Sequence, residues 1–381
     1  MMRLFDTRAR SLEPLVAGRT VRLYVCGITP YDSTHLGHAF TYVAFDTLVR
    51  YLEHLGHRVR YVRNVTDVDD DILRKARELD LDYTLLADRE VARFEEGLAA
   101  LGCRQPDASP RASQVIPAIR QAVSGLLERG VAYALDDGRV YFDVRAAPGF
   151  GAFSGLDREQ MHRQFAEKGG DPEATGKRDP LDFLLWQPSA DDEPSWDSPW
   201  GPGRPGWHIE CSVMAQEELG ATIDIHGGGS DLVFPHHEAE VVQAESLTRQ
   251  APFSRFWLHT GMVGLEDVKM SKSLGNLVFA SDLRERYEAD AVRRYLLSHH
   301  YRRSWDHDEG DLADAAAAVK LWREAAGNDD QRPDLAEAFH AAMNDDLDTP
   351  GAVRALDEAA AAGAGRTLRA LAPVLGLSLT S

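Results

Sequence analysis

Two short motifs, more than 200 residues apart, carry side chains suited to phosphate chemistry. The first is His35-Leu36-Gly37-His38, and the second is Lys269-Met270-Ser271-Lys272-Ser273. Imidazole, backbone N–H and ammonium groups can stabilise the negative charge that develops on the α-phosphate of ATP as pyrophosphate leaves. A histidine pair at a helix start, or a lysine–serine loop, is common on protein surfaces when it occurs alone. The two motifs together, in this order, predict an enzyme that attacks the α-phosphate. The predicted catalytic residues are His35, His38, Lys269 and Lys272.

The elements around the first motif have to position it. Residues 21–28 form an apolar run that predicts a buried strand ending in a turn. After His38, apolar residues recur at helical spacing, and Val59, Tyr61 and Val62 predict another strand. This β-α-β order predicts a parallel sheet with its functional site at the carboxyl ends of the strands. The amino end of the helix is positive, and Gly37 lets the backbone approach an anion closely.

The rest of the chain divides by composition. Residues 70–135 have helical patterning, 146–206 are rich in Gly, Pro, Asp and Trp, and an apolar strand pattern resumes at 223–225. From about residue 290 the chain is rich in Ala and Leu with helical periodicity. We therefore predict an α/β fold in which a Rossmann-like catalytic domain carries an inserted domain and a C-terminal helical bundle. The predicted bounds are 1–95 and 200–290 for the catalytic domain, 96–199 for the insert and 291–381 for the bundle.

A candidate metal site combines residues that are distant in the sequence. Cys26 ends the first predicted strand, Cys211 lies in Trp207-His208-Ile209-Glu210-Cys211, and His236 and Glu240 follow. If residues 236–240 are helical, His236 and Glu240 share one face. Two thiolates, an imidazole and a carboxylate form a plausible tetrahedral Zn²⁺ set. The alternative is two buried cysteines and a capping histidine pair, and we interpret Cys103 as incidental.

A glycine-rich loop follows the apolar strand at 223–225. Gly227-Gly228-Gly229-Ser230-Asp231 would allow the backbone to approach a ribose, and Asp231 could accept hydrogen bonds from its hydroxyls. Glycine runs are usually only turns, so the position after a strand is what favours the nucleotide-binding interpretation.

Bulk composition limits the classes of function. The chain has 381 residues, 44% hydrophobic and 27% charged, as in globular proteins. The net charge of −19 argues against a broad nucleic-acid-binding face. No apolar stretch is long enough to span a membrane, and the start lacks the apolar segment of a signal peptide. Three cysteines do not form a disulfide framework, so we expect a cytoplasmic protein with no membrane partner.

These motifs resemble the cysteinyl-tRNA synthetase superfamily of class I adenylate-forming enzymes. The similar strings are LYVCGITPYDSTHLGHA, YVRNVTDVDDDIL, PGWHIECS, GGGSDLVFPHHE and KMSKSLGN. Within that superfamily the chain most resembles the cysteine ligases of mycothiol biosynthesis. Their ERGGDP segment is matched by residues 167–172 with Lys for Arg, and HTGMVG, NLVFAS and DDLDTP are also similar. Two positions depart from these ligases, which usually have Ser or Thr at Glu240 and tend to have Arg at Leu274.

The resemblance implies a class I synthetase fold and a two-step ligase. Cysteine and ATP would form cysteinyl-AMP and pyrophosphate, and the amine of 1D-myo-inosityl 2-amino-2-deoxy-α-D-glucopyranoside would then displace AMP. It implies one Zn²⁺ per chain on Cys26, Cys211 and His236, and it leaves open whether Glu240 is a further ligand. It also implies that Mg²⁺ accompanies ATP, and we expect a monomer. The residues implied to line the cysteinyl-AMP and ATP site are Cys26, Gly27, Ile28, Thr29, Gly37, Thr41, Asn64, Val65, Thr66, Trp207, Gly229, Ser230, Asp231 and Val263.

Two other functions stay open at this point. The chain could be a truncated cysteinyl-tRNA synthetase, although such an enzyme would be expected to continue into an anticodon-binding domain. The region after Lys320 contains no lysine and is poorly suited to bind a phosphate backbone, so we do not expect tRNA as a partner. A non-catalytic paralogue that binds cysteine or nucleotide is the third hypothesis. The intact HLGH and KMSKS motifs and the candidate zinc residues argue against it.

Overall fold

The computed structural model describes residues 1–31, 35–265, 268–269 and 277–379. Its strands and helices follow one another along the chain as β1 (Arg3–Asp6), β2 (Ser11–Pro14), β3 (Thr20–Ile28), α1 (Leu36–His54), β4 (Arg58–Val65), α2 (Asp70–Leu79), α3 (Tyr83–Ala100), α4 (Ile116–Glu128), β5 (Ala132–Ala134), β6 (Val140–Phe142), α5 (Arg158–Glu167), β7 (Phe183–Gln187), β8 (Arg204–Pro205), α6 (Trp207–Leu219), β9 (Ile223–Gly229), α7 (Glu238–Thr248), β10 (Ser254–Thr260), β11 (Val263–Leu265), β12 (Val268–Lys269), α8 (Ala280–Arg286), α9 (Ala289–Leu297), β13 (Trp305–Asp306), α10 (Glu309–Ala326), α11 (Pro333–Asn344), α12 (Thr349–Ala361) and α13 (Gly365–Leu371).

A four-stranded parallel sheet lies at the centre of the fold. Its strand order is β10-β9-β3-β4. The apolar run of β3 is buried on both faces of the sheet over most of its length, as expected for a strand covered by helices. The α/β fold class and the parallel sheet predicted from the β-α-β pattern are confirmed. Because all four strands run the same way, their carboxyl ends meet at one edge.

A second sheet lies in the part of the chain between β4 and β9. Strands β5 to β8 pair in sequential antiparallel order and pack with α4 and α5 around a buried cluster that also includes residues of α6 and α7. The rings of Phe142 and Phe183 stack within it, with centroids 4.9 Å apart. Strands β5, β6 and β7 lie within the residues assigned by sequence to the insert, whereas β8 lies in the range 200–290 assigned to the catalytic domain. The exact bounds of the insert stay a prediction.

Helices α9 to α13 form the C-terminal helical region, and one buried ion pair joins it to α1. Arg293 on α9 and Asp46 on α1 are 0% and 2% exposed, and the guanidinium donates to the carboxylate. The same guanidinium donates to the carbonyl oxygen of Leu101 at 3.0 Å and to that of Leu375. The pair therefore joins the helix after the histidine turn to the end of the chain.

Across the described ranges, the structure has no helix that combines the length and the apolar character needed to cross a bilayer.

Candidate active site and metal centre

The histidine turn lies at the start of α1. His35 is the N-cap, and its Nδ1 accepts the backbone N–H of Gly37 at 3.1 Å. The imidazole rings of His35 and His38 stack with centroids 3.8 Å apart. Thr41 donates to the carbonyl oxygen of Gly37 and lies 2.7 Å from the hydroxyl of Thr260 at the end of β10. The turn is therefore fixed against the carboxyl edge of the parallel sheet.

The ends of β3 and β4 are held together by a close backbone approach. The N–H of Gly27 donates to Oδ1 of Asn64 at 2.8 Å, and the Asn64 amide donates to Thr66 at 3.1 Å. A Cβ at Gly27 would lie 1.6 Å from the carbonyl oxygen of Asn64, so glycine is required there. Ile28 and Val65 are paired across the same two strands.

The four predicted metal ligands are brought together. One ligand atom from each of Cys26, Cys211, His236 and Glu240 lies within 4.8 Å of the others, and all four side chains are buried. Nε2 of His236 is 3.1 Å from Oε1 of Glu240, and Sγ of Cys26 is 3.6 Å from the same oxygen. The elements that supply them are the end of β3, the first turns of α6 and α7, and the segment just before α7.

The electrostatics of this cluster suit a soft divalent cation. Burial and the neighbouring Cys211 raise the pKa of Cys26 well above its ordinary value, whereas the hydrogen bond with Cys26 lowers the pKa of Cys211. Nε2 of His236 and Oε2 of Glu240 are buried and make no hydrogen bond with the described residues. A bound Zn²⁺ would satisfy these atoms and would hold both sulfurs as thiolates. The donor set therefore fits zinc.

A layer of further histidines surrounds the cluster. Nδ1 of His208 lies 2.9 Å from Nδ1 of His236, on which the Trp207 ring stacks at 4.1 Å. Nδ1 of His237 lies 2.7 Å from Nε2 of His259, whose Nδ1 is 2.8 Å from the Thr7 hydroxyl. Burial lowers the pKa of His208, His237 and His259, so these imidazoles are neutral.

A second combination of four donors shares two members with the first. It consists of Cys26, His226, His237 and Glu240, again within 4.8 Å of one another. Sγ of Cys26 lies 3.5 Å from Nε2 of His226 and 3.3 Å from Nε2 of His237. Because zinc favours thiolate-rich sets, the combination that contains both cysteines is the better site.

The glycine-rich loop continues β9 into a short turn. Gly229 pairs with Thr260 at the end of β10, and Ser230 and Asp231 follow directly. Lys168, from the segment after α5, donates to the carbonyl oxygens of Asp231 and Phe234. Hydrogen bonds from Lys168 thus connect the insert to Asp231 and to Phe234, in the segment between the glycine-rich loop and His236.

The remaining predicted site residues are distributed as follows. Thr29 and Trp207 line the same cleft beside the metal cluster. Val263 is buried in β11, the middle strand of a small sheet with β12 and β13. Lys269 belongs to β12, and Lys272 lies outside the described residues.

The sequence interpretation assigned no catalytic, substrate-binding or metal-binding role to His226, His237, His259 or Asp69. His226 has a sequence signal that could have identified it, since it is a polar residue within the buried strand β9, directly before the glycines. His259 has the same signal near the end of β10. Asp69 follows the predicted end of β4 and caps α2, where its carboxylate accepts the N–H of Asp71 at 2.8 Å.

Comparisons with known proteins agree with this geometry. Residues 12–317 match the family described as tRNA synthetases class I (C) catalytic domain. The chain is 48% identical over 370 residues to the L-cysteine:1D-myo-inositol 2-amino-2-deoxy-alpha-D-glucopyranoside ligase of Thermomonospora curvata, covering 96% of this chain and 89% of that protein. The protein of the same name from Frankia casuarinae is 49% identical, over 93% of this chain and 77% of that protein. The chain belongs to this ligase family.

Solved structures of two tRNA synthetases have a fold similar to that of this chain. Mycobacterium tuberculosis methionyl-tRNA synthetase bound by methionyl-adenylate aligns with a TM-score of 0.66 at 15% identity, covering 94% of this chain and 88% of that one. A leucyl-tRNA synthetase ternary complex from Agrobacterium radiobacter aligns with a TM-score of 0.67 at 11% identity, covering 96% and 85%. The class I synthetase fold predicted for this ligase is therefore confirmed.

Proposed function

We propose that this chain is an ATP-dependent ligase that joins L-cysteine to the amine of 1D-myo-inosityl 2-amino-2-deoxy-α-D-glucopyranoside. The reaction proceeds through cysteinyl-AMP and releases AMP and pyrophosphate. The observation that carries the proposal is the 48% identity to a ligase of this name over 96% of the chain. The buried Cys26, Cys211, His236 and Glu240 cluster supports cysteine as the activated amino acid.

In the first step a carboxylate oxygen of cysteine attacks the α-phosphorus, and the bond to pyrophosphate breaks. His35 and His38, stacked at the positive end of α1, stabilise the charge that develops on the phosphate oxygens. The ammonium groups of Lys269 and Lys272, in the second motif, would stabilise the same charge. Mg²⁺ accompanies the triphosphate as part of the substrate. These residue roles are proposals that rest on position and chemistry.

Cys26, Cys211 and His236 would hold Zn²⁺, with Glu240 as a fourth donor. When bound, the metal supplies a soft centre for the thiol of the substrate. A serine hydroxyl is a poorer ligand for a thiolate-rich site, so this donor set favours cysteine without a separate editing site. Trp207 packs on His236 and fixes the orientation of that imidazole.

In the second step the sugar amine attacks the acyl carbon of cysteinyl-AMP. A carbon–nitrogen bond forms, the bond from the acyl carbon to the phosphate oxygen breaks, and AMP leaves with the electron pair. Neither step needs a group that binds a long nucleic acid. We expect a monomer located in the cytoplasm, and both remain predictions from the sequence.

A cysteinyl-tRNA synthetase is the second candidate. The family that matches residues 12–317 is described as tRNA synthetases. By the sequence resemblance, a glutamate at position 240 is the residue expected of the synthetases. Against it, the net charge is −19, and the relatives that are 48% and 49% identical are named as the sugar ligase. The two candidates share the first step and differ only in the acceptor.

One experiment separates them. The zinc-loaded enzyme is incubated with cysteine and ATP, with the amino sugar in one tube and tRNA in another, and AMP release is followed at low and moderate salt. We expect release that depends on the sugar and changes little with salt. A tRNA acceptor would need several phosphate contacts and hence a steep salt dependence. Cysteinyl-tRNA without an amide product from the sugar would establish the synthetase function instead.

A further inference from the structure

A cleft of about 650 Å³ opens beside the metal cluster. One wall is the start of α2, the other is the segment from α5 to β7, and Thr29, Trp207 and His208 lie between them. This volume falls within the roughly 300–1,000 Å³ that is typical of small-molecule sites. Thr29 and Trp207, which are expected to line the cysteinyl-adenylate site, also line this cleft. A molecule bound in the cleft would therefore be next to the activated acyl group.

The side chains that line the cleft combine aromatic rings with charged groups. Such a lining gives an amphipathic ligand apolar surface for its carbon skeleton and a few polar partners for its orientation. The aromatic residues are Tyr141, Phe165, Phe183 and Trp207, and the charged residues are Asp69, Asp70, Asp71, Arg74, Glu167, Lys168, Asp171, Lys177 and Asp182.

The cations among these residues are already engaged by the protein. Lys168 donates to the carbonyl oxygens of Asp231 and Phe234. Lys177 donates to those of Asp171 at 2.8 Å and Pro180 at 2.6 Å. Arg74 pairs with Asp71 at 2.6 Å. Carboxylates outnumber cations in the described lining, so the cleft repels phosphates and favours a cationic ligand.

Asp69 differs in its partners from Asp70 and Asp71, the two carboxylates that follow it in the chain. Asp70 pairs with Arg204, and Asp71 pairs with Arg74. Asp69, the N-cap of α2, accepts the backbone N–H of Asp71. Within the described part of the chain, no cation lies at salt-bridge distance from Asp69.

We propose that this cleft binds the amino-sugar acceptor and that the carboxylate of Asp69 receives its amine. The inference rests on the proposed function and names the site of the acceptor within it. The aromatic rings contact the carbon faces of the two sugar-like rings, and Asp69 pairs with the ammonium. The acidic lining explains why a polyanion would be excluded from the same cleft.

Asp69 also provides a path for the proton that the ammonium must lose before attack. Burial raises the pKa of Asp69 to about 6, below the value of about 8 that is typical of an α-amino group. The carboxylate is therefore ionised when it meets the ammonium, and it accepts one proton. The free amine then attacks the acyl carbon, AMP leaves with the electron pair of the broken carbon–oxygen bond, and the second amine proton passes to water.

The test separates the two steps of the reaction in the full-length, zinc-loaded enzyme. Cysteine-dependent exchange of pyrophosphate into ATP reports the first step, and AMP release driven by the amino sugar reports the second. Asp69→Asn and Asp69→Ser both retain a helix-capping residue, so α2 keeps its N-cap. Asp136→Asn, an exposed position outside the cleft, is the matched control.

We expect both Asp69 variants to retain exchange within about twofold of wild type. We expect their kcat/KM for the amino sugar to fall at least about 30-fold, which corresponds to about 2 kcal/mol. Asp136→Asn should match wild type in both assays. Unchanged kcat/KM for the sugar would overturn the assignment, as would an equal loss of exchange. If wild type itself releases no AMP with the sugar, the proposed function fails, and this outcome is visible before any variant is compared.

Discussion

Nε2 of His236 lies 3.1 Å from Oε1 of Glu240, one helical turn further along the chain. Oε1 is also 3.6 Å from Sγ of Cys26, and Oε2 is 3.6 Å from Nε2 of His226. A carboxylate that is completely buried among sulfur and imidazole nitrogen atoms needs a cation or a proton. This arrangement supports the proposal that Glu240 is a fourth zinc ligand, which the residue pattern alone left open.

Replacing Glu240 tests that position. We expect Glu240→Ser to retain one zinc per chain on Cys26, Cys211 and His236, but with affinity lower by at least the roughly 10-fold that loss of an outer-shell partner of a metal ligand costs. Competition with a chromogenic chelator measures the affinity. Glu217→Ser, at an exposed position on α6, is the control and should bind zinc like wild type. Equal affinity in the Glu240 variant would show that this carboxylate is not a ligand.

Cys211→Ser should lose bound zinc and nearly all cysteine activation. The reason is that Cys211 supplies one of only two thiolates in the cluster, and a hydroxyl is a weak zinc ligand. Metal analysis of the purified variant, together with cysteine-dependent pyrophosphate exchange, provides the measurement. Cys103→Ser, at the third cysteine, should keep both properties because Cys103 lies beside Arg293 and not in the cluster. A Cys211 variant with full zinc and normal exchange would remove this residue from the site.

Lys272→Ala should slow adenylate formation far more than it weakens cysteine binding. Its ammonium is expected to act where charge develops on the phosphate, an effect of about 3 kcal/mol by analogy with single oxyanion donors. Pyrophosphate exchange at saturating ATP measures the rate, and equilibrium binding measures the affinity for cysteine. Lys320→Ala, exposed on α10, should behave like wild type. A near-normal rate would mean that the second motif contributes to substrate binding alone.

Asp46→Asn should destabilise the fold by about 3–5 kcal/mol at neutral pH, because it leaves the buried Arg293 guanidinium without its carboxylate. Burial alone would raise the pKa of Asp46, but Arg293 and Arg50 hold it below the ordinary value of 3.8. The stabilisation is therefore present above that ordinary value and is lost as the pH falls through the lower pKa of the folded state.

Urea unfolding of wild type and of Asp46→Asn measures this effect. The difference in unfolding free energy should be largest at pH 7 and should shrink as the pH falls below 3.8. Asp345→Asn removes a partner from the exposed Arg3–Asp345 pair and should change stability little. A difference that does not depend on pH would mean that Asp46 contributes through packing and not through its charge.

Local patterns predicted the elements around the histidine turn closely. The strand expected at residues 21–28 is β3 at Thr20–Ile28, and the helix expected after His38 is α1, because both follow from apolar spacing within one segment. The residue types of Cys26, Cys211, His236 and Glu240 indicated a possible metal site, but no spacing within one segment joins them. The resemblance to a known family implied Cys26, Cys211 and His236 as the ligands and left Glu240 open.

Relationships between neighbouring strands could not be predicted from the sequence. His259 meets His237 because β10 lies beside β9, and that order is a property of the whole sheet. Asp69 becomes a cleft residue only because the segment after α5 packs opposite the start of α2. No pattern within either segment reports this contact. The individual roles of the nucleotide-site residues, such as Asn64 and Val263, stay predictions.

The Asp46–Arg293 pair also sets how accurately the histidine turn is held. Asp46 lies eight residues after His38 on the same helix, about 12 Å along its axis. A tilt of about 5° around that point would displace the start of the helix by about 1 Å, and misplacements of that size can cost about 100-fold in rate. Bonds from Arg293 to Asp46 and to the carbonyl oxygen of Leu375 restrain such a tilt. Residues near the end of the chain thus restrain the helix at whose start the proposed catalytic histidines, His35 and His38, lie.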